Sequence, residues 1–167
     1  DAMTGTLNRI DIRGLGGEKL KDKWADGPHT HLGLMSVGFP NMFMITGPQS
    51  PSVGSNMVVS IEQHVDWIAD LLVHMRENGK EVFEPLVESE KEWGEHIDIL
   101  FNMSLHPQAD TWYLGSNVPG KPRVFTVYIG GVHAYRNLSD EIAEKGYPGF
   151  AIDGEGKPND VDFEDHV

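Results

Sequence analysis

Met42-Phe43-Met44-Ile45-Thr46-Gly47-Pro48-Gln49-Ser50-Pro51-Ser52-Val53-Gly54-Ser55-Asn56, running on into Ile61, Val65, Ile68, Leu72 and Met75, is the stretch on which the fold turns. Its first four residues are apolar at every position, the pattern of a strand buried on both faces. Residues 47–56 hold two prolines, two glycines and three serines. That composition suits neither a helix nor a sheet interior, so the segment reads as a loop. Apolar residues then recur at intervals of four, three, four and three, one stripe of a helix that Gly79 stops. A buried strand, such a loop and a helix N-terminus leave backbone N–H groups free. Such ends favour phosphate, carboxylate or an electron-rich carbonyl edge. An ordinary surface turn has the same composition.

Outward from this stretch the chain alternates short apolar runs with punctuation. Leu7 to Arg13 alternates apolar and polar, the period of a strand with one wet face, and Gly14, Gly16 and Gly17 mark a turn. His31 to Met35 is a second strand-length run, set off from Met42 to Thr46 by Gly38 and Phe39-Pro40-Asn41. Downstream, Trp93, Ile97, Leu100 and Phe101 suggest a helix from about Leu86 to Met103. His106 to Arg123, with three prolines and two glycines, reads as loop. Val124 to Ile129 is strand-like and ends in Gly130-Gly131. A third helix spans Val132 to Lys145, stopped by Gly146, with Phe150-Ala151-Ile152 as an apolar coda. Strands, helix, helix, strand, helix is a mixed α/β order.

The 167 residues are enough for one domain with a real core. Absence of cysteine excludes disulfides, thiolate metal sites and a cysteine nucleophile, and suits a reducing cytoplasm. Twenty-six acidic against 13 basic residues give a net charge of -13, which repels phosphate backbones and argues against a nucleic-acid partner. No apolar run approaches the ~20 residues that span a bilayer, so no membrane partner is expected. From Asp153 to Val167, six acids stand against Lys157, with Gly154, Gly156 and Pro158 among them. This reads as an acidic, disordered tail behind a folded unit of residues 1–152. The start, Asp1-Ala2-Met3-Thr4-Gly5, reads like mid-protein sequence, as in a fragment or a processed chain.

Several motifs lead nowhere. Gly115 to Lys121 has the spacing of a phosphate loop, but Pro122 stands where a Ser or Thr should hold magnesium. His29 and His31, two apart, would face one side of a strand, yet two imidazoles alone make no metal site. No Gly-x-Ser-x-Gly elbow occurs. Trp112, a large aromatic in a Pro/Gly loop, either covers something or anchors the loop.

The order of short motifs says more. Leu32-Gly33-Leu34, Gly38-Phe39-Pro40-Asn41, Thr46-Gly47-Pro48, Ser50-Pro51-Ser52, Ser55-Asn56-Met57 and Ser60-Ile61-Glu62-Gln63-His64-Val65 come in sequence. Trp112-Tyr113, Asn117-Val118-Pro119-Gly120-Lys121-Pro122-Arg123, Tyr128, Gly130-Gly131 and Tyr135-Arg136 follow. Over about residues 1 to 152 this series resembles the Baeyer–Villiger monooxygenases, nearest to the phenylacetone and steroid monooxygenase branch. Asp1 to Gly5 resembles the point where that family's chain returns from its NADP domain to its FAD domain.

The resemblance implies the C-terminal half of a three-layer, Rossmann-like FAD domain, with a substrate-pocket loop and a mobile lid loop. It implies an FAD- and NADPH-dependent enzyme that uses oxygen to turn ketones into esters or lactones through a flavin C4a-peroxide. Gly47, Pro48, Ser55, Asn56, Met57 and Trp112 would touch cofactor, Trp112 by folding over the nicotinamide. Ser52, Val53, Gly54 and Met57 would shape the ketone pocket. Gly54 departs from that branch, where a larger apolar residue is usual, and so should widen the pocket. Both dinucleotide-binding Gly-x-Gly-x-x-Gly loops and the Phe-x-Gly-x3-His-x3-Trp fingerprint are missing. The family's active-site Arg and its Asp partner lie upstream. No catalytic residue is therefore expected here, nor activity without the upstream part of the enzyme as partner. Two rivals are a related flavin monooxygenase that oxidises N or S atoms, and a free-standing, non-catalytic domain that folds alone and binds no flavin.

Overall fold

Three long helices build this chain, and polar side chains on their inner faces fix how each is turned. The computed structural model describes residues 3–51, 54–109, 111–116 and 118–166. Asp1, Ala2, Ser52, Val53 and Asn117, all part of the motif readings, lie outside them. In chain order the elements are α1 (Gly5–Arg9), α2 (Leu20–Lys23), α3 (Met57–Glu77), β1 (Phe83–Pro85), α4 (Val87–Met103), α5 (Val132–Glu144), β2 (Phe150–Ile152) and β3 (Glu155–Gly156). The strands form one antiparallel sheet in the order β1-β2-β3, with Phe83 opposite Ile152 and Ala151 opposite Gly156. The class is mixed α/β, as expected.

α3 begins where Asn56 Oδ1 accepts the Val58 N–H at 3.1 Å, and ends before Gly79 at φ 61°. Its buried face differs from the one that apolar periodicity picks out. Gln63, His64, Trp67, Leu71 and Met75 point inward, whereas Ile61, Val65 and Leu72 are exposed. The polar members of the inner face are tied to neighbouring elements, which makes their burial tolerable. Gln63 Nε2 donates to Ser139 Oγ and Trp67 Nε1 to the Ser139 carbonyl, both at 2.8 Å, binding α3 to α5. His64 Nδ1 accepts the Thr46 N–H at 2.9 Å. α4 matches its reading: Trp93, Ile97 and Leu100 are buried, and Trp93 Nε1 donates to the Gln49 carbonyl at 3.1 Å.

The expected strands are corrected. Residues 5–9 are helical, Ile10 is exposed, and Arg13 makes only an isolated bridge to Lys19. Among the described residues the alternation of Leu7 to Arg13 has no sheet neighbour to pair with. His31 to Met35 is a buried turn, because Leu32 (φ 57°) and Gly33 (φ 69°) are left-handed. Met42 to Thr46 is irregular, with Met44 buried, Ile45 exposed and Thr46 at φ 50°. Val124 to Ile129 contains the buried run Phe125 to Tyr128, but among the described residues its one bridge is Tyr128 to Pro51, in parallel. The acidic stretch 153–167 is also corrected. β3 pairs with β2, Glu164–His166 forms a 3-10 turn, and Val161 and Phe163 are buried in the main core. Two apolar side chains anchor a segment that its charge would leave in solvent.

Candidate active site

The loop between Thr46 and α3 is held to the core by backbone hydrogen bonds. Gln49 N–H donates to the Thr126 carbonyl at 2.8 Å and Tyr128 N–H to the Ser50 carbonyl at 3.0 Å. Residues 49–51 therefore run parallel to residues 126–128. Gln49 sits at φ 68°, fixed by Thr30, whose backbone N–H and hydroxyl both donate to its side-chain oxygen. A Cβ on Gly47 would collide with the Gly33 carbonyl and Met44, so glycine there permits close backbone packing. The single Thr30 hydroxyl proton is shared between the Gln49 side-chain oxygen at 2.9 Å and the Pro48 carbonyl at 3.0 Å. Gly47 and Pro48 are both buried.

Beyond Pro51 the loop lines a cavity of about 280 Å³. Its walls are Pro51, Gly54 and Ser55 on one side, and His106, Tyr113, Val127, Tyr128, Ile129, Gly131 and Val132 on the other. Larger hollows of about 520, 510, 430 and 290 Å³ lie away from the loop and are more open to solvent, the first three lined by charged groups such as Lys80, Lys145, Asp66, Arg136 and Glu92. The smaller, mostly apolar cavity is the better ligand pocket, since such pockets combine apolar walls with a few aimed polar groups.

Of the residues singled out in the sequence, Gly54 and Ser55 meet at this cavity. Asn56 caps α3, and Met57, its first residue, is half-buried. Ser55 Oγ lies 3.4 Å from Ser60 Oγ. Trp112 does not line the cavity, but Tyr113 does, and the two rings pack 4.2 Å apart. Trp112 is 40% exposed, at the head of the 3-10 turn Trp112–Leu114. His29 and His31 part company: His29 reaches Asp26 at the surface, while His31 is buried against Phe150. Lys121 folds over Gly115 and donates to Thr4 Oγ1 at 3.3 Å.

Sequence reasoning gave no role to Tyr128 and His64. Tyr128 is buried, stacked on Trp93 at 5.4 Å, and its hydroxyl has no partner among the described residues. Burial pushes that phenol up to about 12, so it keeps its proton and can donate. Tyr135, pushed up further by burial, donates to the Leu32 carbonyl at 2.7 Å. Desolvation brings the buried His64 down to about 4. Its Nδ1 accepts a backbone N–H, so Nε2 carries the proton, again without a partner among the described residues. Both residues lie within or next to the short motifs, but nothing in the sequence marks a hydroxyl or ring nitrogen as unpaired.

No family model matches the chain. It is 46% identical over 153 residues to an acetone monooxygenase (methyl acetate-forming) from Gordonia sp. strain TY-5, covering 91% of this chain and 29% of that protein. A steroid monooxygenase structure bound to NADP superposes with a TM-score of 0.83 at 46% identity, over 91% of this chain and 28% of that one. The cyclohexanone monooxygenase of Rhodococcus sp. Phi1, bound to NADP+, superposes with a TM-score of 0.86 at 35% identity, over 94% and 28%. The chain thus spans under a third of the length of the proteins it matches.

Proposed function

This chain corresponds to the C-terminal part of the Baeyer–Villiger monooxygenases, and on that footing we propose that it supplies pocket and lid to an FAD- and NADPH-dependent enzyme that oxidises ketones to esters or lactones. The observation that carries the reading is the cavity where the pocket loop (Pro51, Gly54, Ser55) meets Tyr113, the neighbour of Trp112. Tyr128, whose buried hydroxyl has no partner among the described residues, lines one of its walls. A Cβ at Gly54 would meet nothing within 4 Å, which suits a pocket open at that point.

The flavin, when bound, supplies the activation of oxygen. What this chain contributes is position. Ser55, Asn56 and Met57 would offer the α3 N-terminus to the flavin edge, as free N–H groups favour electron-rich atoms. Gly47 and Pro48 would hold that loop in shape from behind. Trp112 would cover the nicotinamide and keep water out. Pro51, Gly54 and, beside them, Ser52 and Val53 would bound the ketone. Tyr128, protonated at neutral pH, would donate to a polar atom in the cavity.

The upstream part of the enzyme is the proposed partner of the exposed apolar face of α3, where Ile61, Val65 and Leu72 stand in a row. Without it, and without dinucleotide-binding loops, the 167 residues alone should neither retain FAD nor turn over. A cytoplasmic location goes with this reading; among the described residues no helix is long and apolar enough to cross a membrane.

The test is ketone-dependent NADPH oxidation by the full-length protein, with oxygen uptake and the ester or lactone identified by mass spectrometry. Stoichiometric product is expected. NADPH oxidation that no ketone stimulates, or oxygenation only of amines and sulfides, would overturn the reading.

A further inference from the structure

Two loops of the proposed site, residues 47–57 and 106–123, are joined through one residue. Thr126 is 2% exposed. Its carbonyl accepts the Gln49 N–H at 2.8 Å from the pocket loop. Its own N–H and its hydroxyl both donate to the Tyr113 carbonyl, at 3.3 and 2.9 Å. The shorter of these two bonds belongs to the side chain, so the hydroxyl is the firmer hold on Tyr113. The Tyr113 ring is clamped in turn, stacked on His106 at 5.9 Å and edge-on to Phe125 at 6.2 Å, and Trp112 lies on its other neighbour side at 4.2 Å. Thr111 Oγ1 closes the turn by accepting the Tyr113 N–H.

We propose that Thr126 is a positioning residue whose hydroxyl ties the lid segment at Tyr113 to the pocket loop at Gln49, so that the seat of Trp112 and the shape of the pocket are set together. This rests on the reading of Trp112 as a nicotinamide-covering lid. Removing the hydroxyl while keeping the β-branched shape leaves the Tyr113 carbonyl with only its longer bond. Loss of one buried hydrogen bond changes a local opening equilibrium by about fivefold. The consequence should fall on the hold for NADPH more than on the step of chemistry, since Thr126 touches no reacting group.

The experiment compares full-length wild type, Thr126→Val and Thr126→Ser by amide hydrogen exchange in peptides covering residues 106–116, and by steady-state kinetics with NADPH. The expected result is exchange faster by about fivefold in Thr126→Val, a KM for NADPH raised by a similar factor with kcat changed less, and both restored in Thr126→Ser. Exchange equal in wild type and Thr126→Val overturns the proposal, whatever the kinetics show. Faster exchange with an unchanged NADPH KM, in a protein that does use NADPH, overturns it too. Faster exchange restored by serine, in a protein that shows no NADPH dependence at all, supports the tie and overturns the enzyme reading instead.

Discussion

His31 should make this fold sensitive to mild acid, by an amount that can be worked out. Its ring is fully buried against Phe150 (4.7 Å), Phe163 (6.4 Å) and Trp93 (6.5 Å); neither nitrogen makes a hydrogen bond of ordinary geometry among the described residues, and the Ser89 backbone beside it favours the charged ring only weakly against burial. Desolvation lowers it from 6.5 to about 3. The folded state therefore holds His31 neutral while the unfolded chain protonates near pH 6.5, so the unfolded state binds more protons throughout the interval. Stability is fully present above pH 6.5 and is lost as pH falls towards 3. At pH 4.5, two units below the unfolded value, this one group costs on the order of 3 kcal/mol. That is a large part of the 5–15 kcal/mol typical of a domain. His31→Leu removes the proton site and keeps an apolar side chain among the aromatic rings. Urea unfolding followed by tryptophan fluorescence from pH 7.5 to 4.5 should show wild type losing on the order of 3 kcal/mol more than His31→Leu over that range. Carboxylates and the other histidines act equally on both proteins and cancel in the difference. Parallel stability curves would mean that His31 is not held neutral by burial, and the reasoning would fail.

Gly54→Leu should narrow the pocket, lowering kcat/KM for bulky ketones about tenfold relative to acetone; equal loss for large and small ketones would remove Gly54 from the pocket wall. Phe163→Ala should lower stability by about 3 kcal/mol by calorimetry or urea titration, since its ring packs edge-on to Trp93 at 5.3 Å. A neutral result would return residues 153–167 to the status of a dispensable tail. Glu90 accepts from Lys23 Nζ at 2.9 Å, from the Val37 N–H at 2.8 Å and from Ser36 Oγ at 3.1 Å. Glu90→Gln should cost on the order of 2 kcal/mol, because it leaves a largely buried Lys23 uncompensated; the measure is the urea midpoint at pH 7, and no shift would show the pair to be idle.

The three long helices were legible, because a helix satisfies its own backbone; the short α1 and α2 were not. α4 and α5 come within a residue or two of the bounds that apolar spacing and the stops before Gly130-Gly131 and Gly146 suggest. Strands need a neighbour, and composition cannot supply one. Val124 to Ile129 has the residues of a strand, and the single Tyr128–Pro51 bridge is all the pairing it finds among the described residues. His31 to Met35 is as apolar as a strand, but Leu32 and Gly33 turn left-handed, with the Gly33 backbone pressed against Ser50. That closeness joins residues 17 apart and leaves no periodic trace. At the site, loop composition and motif order pointed to residues 47–57 and Trp112. The partners that fix them, Thr126, Tyr113 and Tyr128, are ordinary residues whose meaning comes from where one hydroxyl lies.

α3 shows where pattern and packing part. Apolar periodicity reports that a face is worth burying, not which side of this chain buries it. Of the stripe it selects, Ile61, Val65 and Leu72 are exposed, Ile68 is half-buried and Met75 alone is buried, while the inner face is set by Trp67 and Leu71 with Met75, Gln63 and His64. A helix with both sides worth covering has two partners to satisfy. The inner side is covered by α5, through the two hydrogen bonds to Ser139, and by Thr46, Tyr147 and Phe150. The polar residues of the inner face are the better guide to orientation, because a buried amide or imidazole must find a specific partner and an apolar side chain need only leave water.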